Sequence, residues 1–547
     1  MKKEKQKQNE NIRQSHPVPS PQSPVLSPQS SPTLFNPHPH FLRYIMTQAK
    51  QPINLVWMKR DLRTQDHEPL MLAEKAGVPY FILYLFEPAL LAHPDTSDRH
   101  LVFQYHSILQ MNAKLSEFNK AVQICYGDAL EVFQHLADQF IIEQLFSYQE
   151  SGTQLTWERD KAIAAFCERE NIRWTECQRD GILRGISNRE GWDKKWFQFM
   201  HAPLVENFFS KQDILQWHHP FSLPEQLTTT LKNYPSEWQP PGEDNAWRYL
   251  RNFMEERGVN YNRHISKPLE SRLSCGRVSP YLAWGNLSVR QTYRYVIQHP
   301  RAEQGKRWAE SFLTRVKWRD HFSQKFEVEC RYETHCINRG YESLVKEKNQ
   351  EWITAWETGR TGFPLVDACM RCLHTTGWIN FRMRAMLVSF LCHHLYQDWR
   401  TGTYHLARLF LDYEPGIHYP QFQMQAGTTG VNTVRMYNPV KQSKDHDPEG
   451  IFIRTWVPEL RNVPTEFIHE PHCMTEAEQE QWGVRIGLDY PAPIIELESA
   501  ARQARESIWG HRKNDEVKAE GKRILATHAR KRTAVKKKKG GEQLSLL

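Results

Sequence analysis

The sequence predicts an α/β amino-terminal domain built on a doubly wound parallel sheet, followed by an all-α carboxy-terminal domain. Three observations carry that prediction. Apolar runs of strand length alternate with helical periodicity between residues 52 and 185. Beyond residue 243 almost every segment has helical spacing. Both ends of the chain are polar and low in complexity, which marks tails rather than further core.

The 547 residues leave room for two or three domains and a sizeable core. Residues 1–48, rich in Ser and Pro, are expected to be a disordered tail, with Met46 as an alternative native start. Ile53–Trp57, Tyr80–Leu85, Val122–Gly127, Leu145–Tyr148 and Ile172–Trp174 are the strand candidates of an α/β domain over residues 52–185. A helix is expected over His100–Phe118. A connector rich in Trp and Pro fills residues 186–242. The helical domain runs from 243 to 510 and opens with an amphipathic helix over Asn245–Val259. Residues 511–547 read as a basic tail ending in Gln543-Leu544-Ser545-Leu546-Leu547.

The most informative stretch is Arg360–Leu460. Pro364 suits a first helical turn, and Leu365, Val366, Cys369, Met370 and Leu373 follow at helical spacing. Gly377 then stops the helix, and a second is expected from near Trp378. Arg382 and Arg384 lie beside the apolar run Met386–Leu391 and need acid partners, for which Asp398, Asp412 and Glu414 are available.

Eighteen Trp and a 12% aromatic share suit rings stacked on a cofactor or on bases. The formal charge of +8 is mild, so its distribution matters more than its sum. The ten Cys show no paired metal-ligand spacing except Cys369 and Cys372 inside a helix, so no metal site is expected. Scattered thiols suit a reducing compartment. No apolar run reaches membrane length.

The string Thr361-Gly362-Phe363-Pro364, Thr376-Gly377-Trp378, Asp398-Trp399-Arg400-Thr401-Gly402, Asn438-Pro439-Val440-Lys441-Gln442, Asp447-Pro448-Glu449-Gly450 and Trp456-Val457-Pro458-Glu459-Leu460 resembles the flavin-binding domain of the photolyase/cryptochrome family. The resemblance spans about residues 52–510 and implies FAD as cofactor. In the first domain Val56-Trp57-Met58-Lys59-Arg60-Asp61-Leu62-Arg63 is similar to the family's antenna-domain opening. Met58-Lys59 departs from its pattern, which leaves a folate, a deazaflavin or no antenna as readings.

Carried onto this chain, the family's cofactor contacts fall on Tyr261, Ser274, Arg277, Ser279, Arg384, Asp412, Glu414 and His418. Two overlapping Ser-containing turns, Ser271–Ser274 and Arg277–Ser279, compete for the flavin phosphates. His418 stands opposite flavin N5, where an imidazole would bond or protonate that atom; the alternative is a His that fills space and bonds a carbonyl. Trp318, Arg319, Phe381 and Met424 occupy the family's DNA- and lesion-binding positions, with Arg315 replacing its acid. Of the family's three-Trp electron relay only the middle residue, Trp399, is present; Phe422 stands at the flavin-proximal position. A route through Trp352, Trp356 or Trp378 stays open. The catalytic set so implied is Trp318, Trp399 and His418. With only Cys473 after Cys392, the iron–sulfur cluster of some bacterial members is not expected.

The implied activity is light-driven repair of pyrimidine dimers in DNA by a deoxyribodipyrimidine photo-lyase. The rival is a blue-light photoreceptor of the cryptochrome type. Expected partners are damaged duplex DNA and, through Gln543–Leu547, a bacterial sliding clamp. The expected protein is a monomer in the bacterial cytoplasm, associated with the nucleoid.

Overall fold

Strand β1 (Pro52–Met58) is buried from Ile53 onward, so both of its faces need cover. It pairs in parallel with β2 (Tyr80–Phe86) on one side and β4 (Ile141–Tyr148) on the other. The outer strands are β3 (Val122–Tyr126) and β5 (Arg173–Cys177), giving the order β3-β2-β1-β4-β5. That order reverses between β1 and β4, and the carboxyl ends of these strands therefore open a crevice. β4 starts four residues before the apolar run because Ile142 and Gln144 pair with Ile53 and Asn54. Backbone pairing there ignores side-chain polarity.

The computed structural model describes residues 50–528. The expected amino-terminal tail, the alternative start at Met46 and the Gln543–Leu547 motif lie outside the described residues. Among those described, no helix is long and apolar enough to cross a membrane.

Helices occupy Asp98–Leu115 and Glu243–Glu255, close to their predicted spans. The connector holds two more, Trp192–His201 and Glu225–Lys232, and the first buries Trp192 and Trp196. In the helical domain Pro364–Thr376 ends at Gly377 with φ +70°. The next helix begins at Phe381, three residues later than the sequence suggests. The Trp378 carbonyl is instead taken by the Arg272 guanidinium at 3.1 Å and the Thr376 hydroxyl at 3.2 Å. A second correction concerns residues 511–528, expected in the basic tail. Asp515–His528 is a helix that buries Val517 and Ile524, and Arg523 reaches Glu329 at 3.1 Å. Two apolar residues seven apart sufficed to dock a segment whose overall charge concealed them.

Several histidines are held neutral by burial, four in the helical domain and His100 on the Asp98–Leu115 helix of the α/β domain. Burial pushes His100, His394 and His418 down to about 4, and His393 and His405 down to about 3. An unfolded chain takes up these protons as pH falls below 6.5, whereas the native state resists until pH 4 or 3. Each group therefore removes about 1.4 kcal/mol of stability per pH unit between those limits. Urea midpoints are expected to fall steeply from pH 7 to pH 5. Equal midpoints at the two values would refute this assignment.

Candidate functional site

Arg384 lies in the first turn of the Phe381–Ser389 helix, and Asp412 in the loop before the Pro415–Ala426 helix. Its two terminal nitrogens donate to Asp412 Oδ1 and Oδ2, both at 2.9 Å. Such a fork is rigid as well as charged. The Arg384 Nε donates to the Ile379 carbonyl at 2.8 Å, and the guanidinium lies 4.1 Å over the Phe410 ring. Of the acids available from sequence, Asp398 pairs instead with Arg400. Arg382 lies over the Tyr437 ring.

One cleft gathers Phe381, Arg384, Asp412, Glu414, His418 and Phe422. Val388, Leu406 and Ile417 add apolar wall. Phe381 stands half-exposed at 47%. Two acceptors in this lining, Glu414 Oε2 and Gln421 Oε1, are buried without a protein partner. Orphaned acceptors beside an apolar wall suit a flat heterocycle carrying N–H donors.

His418 Nε2 donates to the Thr403 carbonyl at 2.9 Å. Burial holds the imidazole neutral, with its pKa near 4. That tautomer leaves Nδ1 an acceptor, so the expectation that His418 protonates a ligand at neutral pH gives way to one in which it accepts. Bonding a carbonyl and lining the cleft prove compatible.

Glu414 Oε1 accepts from Arg319 at 2.7 Å and Arg179 at 2.8 Å. Arg319 also donates to Asp180 and Asp320, at 2.9 and 2.8 Å. It is buried between the domains, which corrects its expected placement against DNA. A guanidinium desolvated among three carboxylates holds the cleft wall in place and is not free to take a phosphate. Trp318 is half-buried, and the exposed Arg315 stacks 4.3 Å over its ring. Met424 is half-buried on the cleft helix, and neither it nor Trp318 is in the cleft lining. Trp399 is buried, with its indole N–H 3.4 Å from the Cys336 sulfur.

The remaining predicted contacts form a second group. Ser274 Oγ lies 2.7 Å from His264 Nδ1, and Tyr261 packs against Phe253 and Phe312. Ser279 opens the short Ser279–Trp284 helix. Arg277 takes φ +56° and lays its guanidinium 4.1 Å over Trp378, with a buried, unpartnered Nε. Arg272 approaches the same ring at 6.0 Å. Burial, reinforced by the charge of Arg272, holds Arg277 down to about 10. Two cations sharing one indole are suited to an anion such as a phosphate.

Sequence reasoning passed over Arg272, Gln421 and Tyr413 as site residues. Arg272 lies inside the Ser271–Ser274 string, and Tyr413 separates Asp412 from Glu414, so position alone was a usable signal. A further crevice lies at the carboxyl ends of β1, β2 and β4, lined by Trp57, Tyr84, Glu87, Glu150 and Arg159. Lys59, where the opening motif departs, is engaged by Asp160 at 3.1 Å and lies 4.3 Å over Trp57.

Comparison with known proteins decides what this arrangement belongs to. Residues 54–187 match the family model described as DNA photolyase, and residues 312–510 match the FAD binding domain of DNA photolyase. The deoxyribodipyrimidine photo-lyase of Escherichia coli is 32% identical over 499 residues, covering 84% of this chain and 99% of that protein. The chain belongs to the photolyase/cryptochrome family. Within the family, cryptochrome DASH of Synechocystis is 26% identical over 487 residues, covering 83% of this chain and 97% of that one. A crystal structure of an archaeal photolyase from Sulfolobus tokodaii, 25% identical, covers 84% of this chain and all of its own, with a TM-score of 0.70. The cleft around Arg384 and Asp412 thus falls inside the family's FAD-binding domain. Its polar lining fits that cofactor.

Proposed function

We propose that this photolyase/cryptochrome family member is a light-driven, FAD-dependent deoxyribodipyrimidine photo-lyase that acts on damaged DNA. The observation that carries the reading is the cleft in which Arg384, Asp412, Glu414 and His418 converge beneath a half-exposed Phe381. When bound, reduced FAD supplies the photoexcited electron that splits a pyrimidine dimer. The protein's own contribution is placement and electrostatics. Arg384, Asp412, Glu414 and Gln421 would hold the cofactor's polar groups, with Glu414 Oε2 and Gln421 Oε1 available as acceptors. Arg272 and Arg277 take phosphate charge beside Trp378. Phe381, at the cleft, would offer an apolar face to an extruded pyrimidine dimer, which must leave the stack to approach it. The crevice at the strand ends is the place for an antenna.

A second reading, a photoreceptor that does not repair, is favoured by one feature. Arg315 covers a face of Trp318 that a dimer would need. The two readings separate in one assay. Reduced protein illuminated with a dimer-containing oligonucleotide is expected to restore the free bases. No restoration with either cyclobutane or 6–4 lesions, in protein that retains flavin, would favour the photoreceptor.

A further inference from the structure

Phe422, which is hard to oxidise, lines the cleft at the position where the family resemblance implies a relay Trp, and a set of oxidisable tyrosines leads away from the same cleft. Tyr413 lines both the cleft and the strand-end crevice, and its ring centre is 5.4 Å from that of His418. Its hydroxyl donates to Asp95 Oδ2, and the Tyr419 hydroxyl donates to the same oxygen at 3.2 Å. The two phenol oxygens are 3.2 Å apart, and their ring centres 6.5 Å. Tyr404 continues the line, 6.5 Å from Tyr419 between ring centres, with its hydroxyl donating to Glu333 Oε1 at 3.3 Å. Tyr413 and Tyr419 are buried, whereas Tyr404 is partly exposed. His93 bridges the two acids, with Nδ1 2.7 Å from Asp95 and Nε2 3.0 Å from Glu333.

We propose that Tyr413, Tyr419 and Tyr404 form a proton-coupled electron relay from the surface to the flavin cleft, with Asp95 and Glu333 as its proton acceptors. The inference rests on the flavin reading above. An oxidised flavin excited by light is the oxidant, and an external thiol is the final reductant. A buried phenol gives up an electron readily only if its proton has a base to receive it, and each tyrosine here has one. Tyr413 loses an electron to the oxidant, its O–H bond breaks, and Asp95 takes the proton. Tyr419 then passes a hydrogen atom to the Tyr413 oxygen, restoring that phenol. Tyr404 next gives its electron to Tyr419 and its proton to Glu333, while Asp95 returns its proton to the Tyr419 oxygen. The thiol reduces the oxidised Tyr404, which recovers its proton from Glu333. Overall one thiol is oxidised by one electron, its proton leaves to solvent, and the electron rests in the cleft.

Burial pushes the Asp95 carboxyl up, but the bond and charge of His93 outweigh it and hold the acid at about 2. Despite burial, the two carboxylates lift His93 to about 10. Asp95 is therefore an anion, ready to accept, across the neutral range.

The test uses full-length, flavin-loaded protein containing ring-deuterated tyrosine, illuminated with thiol and followed by transient absorption and electron paramagnetic resonance. A tyrosyl radical narrowed by deuteration is expected in the parent protein. Tyr419→Phe keeps the ring but removes the middle O–H, and should slow thiol-dependent photoreduction about a hundredfold. Tyr404→Phe, at a less buried position, should abolish the long-lived radical while flavin content and melting temperature stay as in the parent. An unchanged radical and rate in both variants would overturn the relay and leave the flavin reading standing. Colourless protein with no photoreduction would overturn both.

Discussion

Asp412→Ala is expected to yield protein that loses its yellow flavin during purification. Asp412 is almost fully buried and is the bidentate partner of Arg384. Removing it leaves a partly buried guanidinium with the Ile379 carbonyl and the face of Phe410 as its remaining named contacts. Breaking such a pair costs about 3–5 kcal/mol. Spread over cofactor affinity, that is roughly a hundredfold to a few thousandfold weaker retention. Asp412→Asn, which keeps one acceptor and the side chain's shape, should retain more flavin than Asp412→Ala. Flavin absorbance per protein and thermal melting of the flavin-free form separate a lost ligand from a lost fold. Full colour and full stability in Asp412→Ala would remove this pair from the site.

A comparably large loss is expected from Gly285→Ala, which acts on the junction between the domains. Gly285 has φ +78°, and an added Cβ would lie 2.3 Å from the Arg60 carbonyl oxygen and 2.4 Å from the Asp61 Cα. Both are backbone atoms just beyond β1 and cannot swing aside. The same junction carries the Leu62 N–H to Trp284 carbonyl bond at 3.1 Å and the Arg63 bond to the Gly285 carbonyl at 3.2 Å. Left-handed strain and overlap together should cost about 3 kcal/mol or more. Gly77→Ala supplies the contrast, since Gly77 has φ +68° but open space around its Cβ position. It should lose only about 1 kcal/mol, the strain alone. Equal urea midpoints for the two variants would show that the junction is not tightly packed.

Much of this architecture is legible in the residue order because period and punctuation are local properties. The strand-length runs from Ile53, Tyr80 and Val122 became β1, β2 and β3. The Pro364 start and Gly377 stop bounded their helix to the residue. The Arg384–Asp412 pair was within reach for a similar reason: a charge beside an apolar run must find a partner, and few acids were near. Local patterns say nothing, however, of what arrives from far along the chain. The motif around Arg319 points it at DNA, but Asp180, brought from 139 residues away, and Glu414, from 95 residues away, enclose it. The second of the two helices starts late because Arg272, over a hundred residues earlier, takes the Trp378 carbonyl. The sequence leaves His418 between two readings, and the Thr403 carbonyl decides which nitrogen carries the proton. Asp95 shows the limit most clearly. It sits in a loop of the α/β domain with nothing in its sequence context to mark it, and only packing against the helical domain sets it between Tyr413 and Tyr419. Charge and hydrogen-bond partners act through space, so the chain fixes which groups exist while the tertiary fold decides which of them meet.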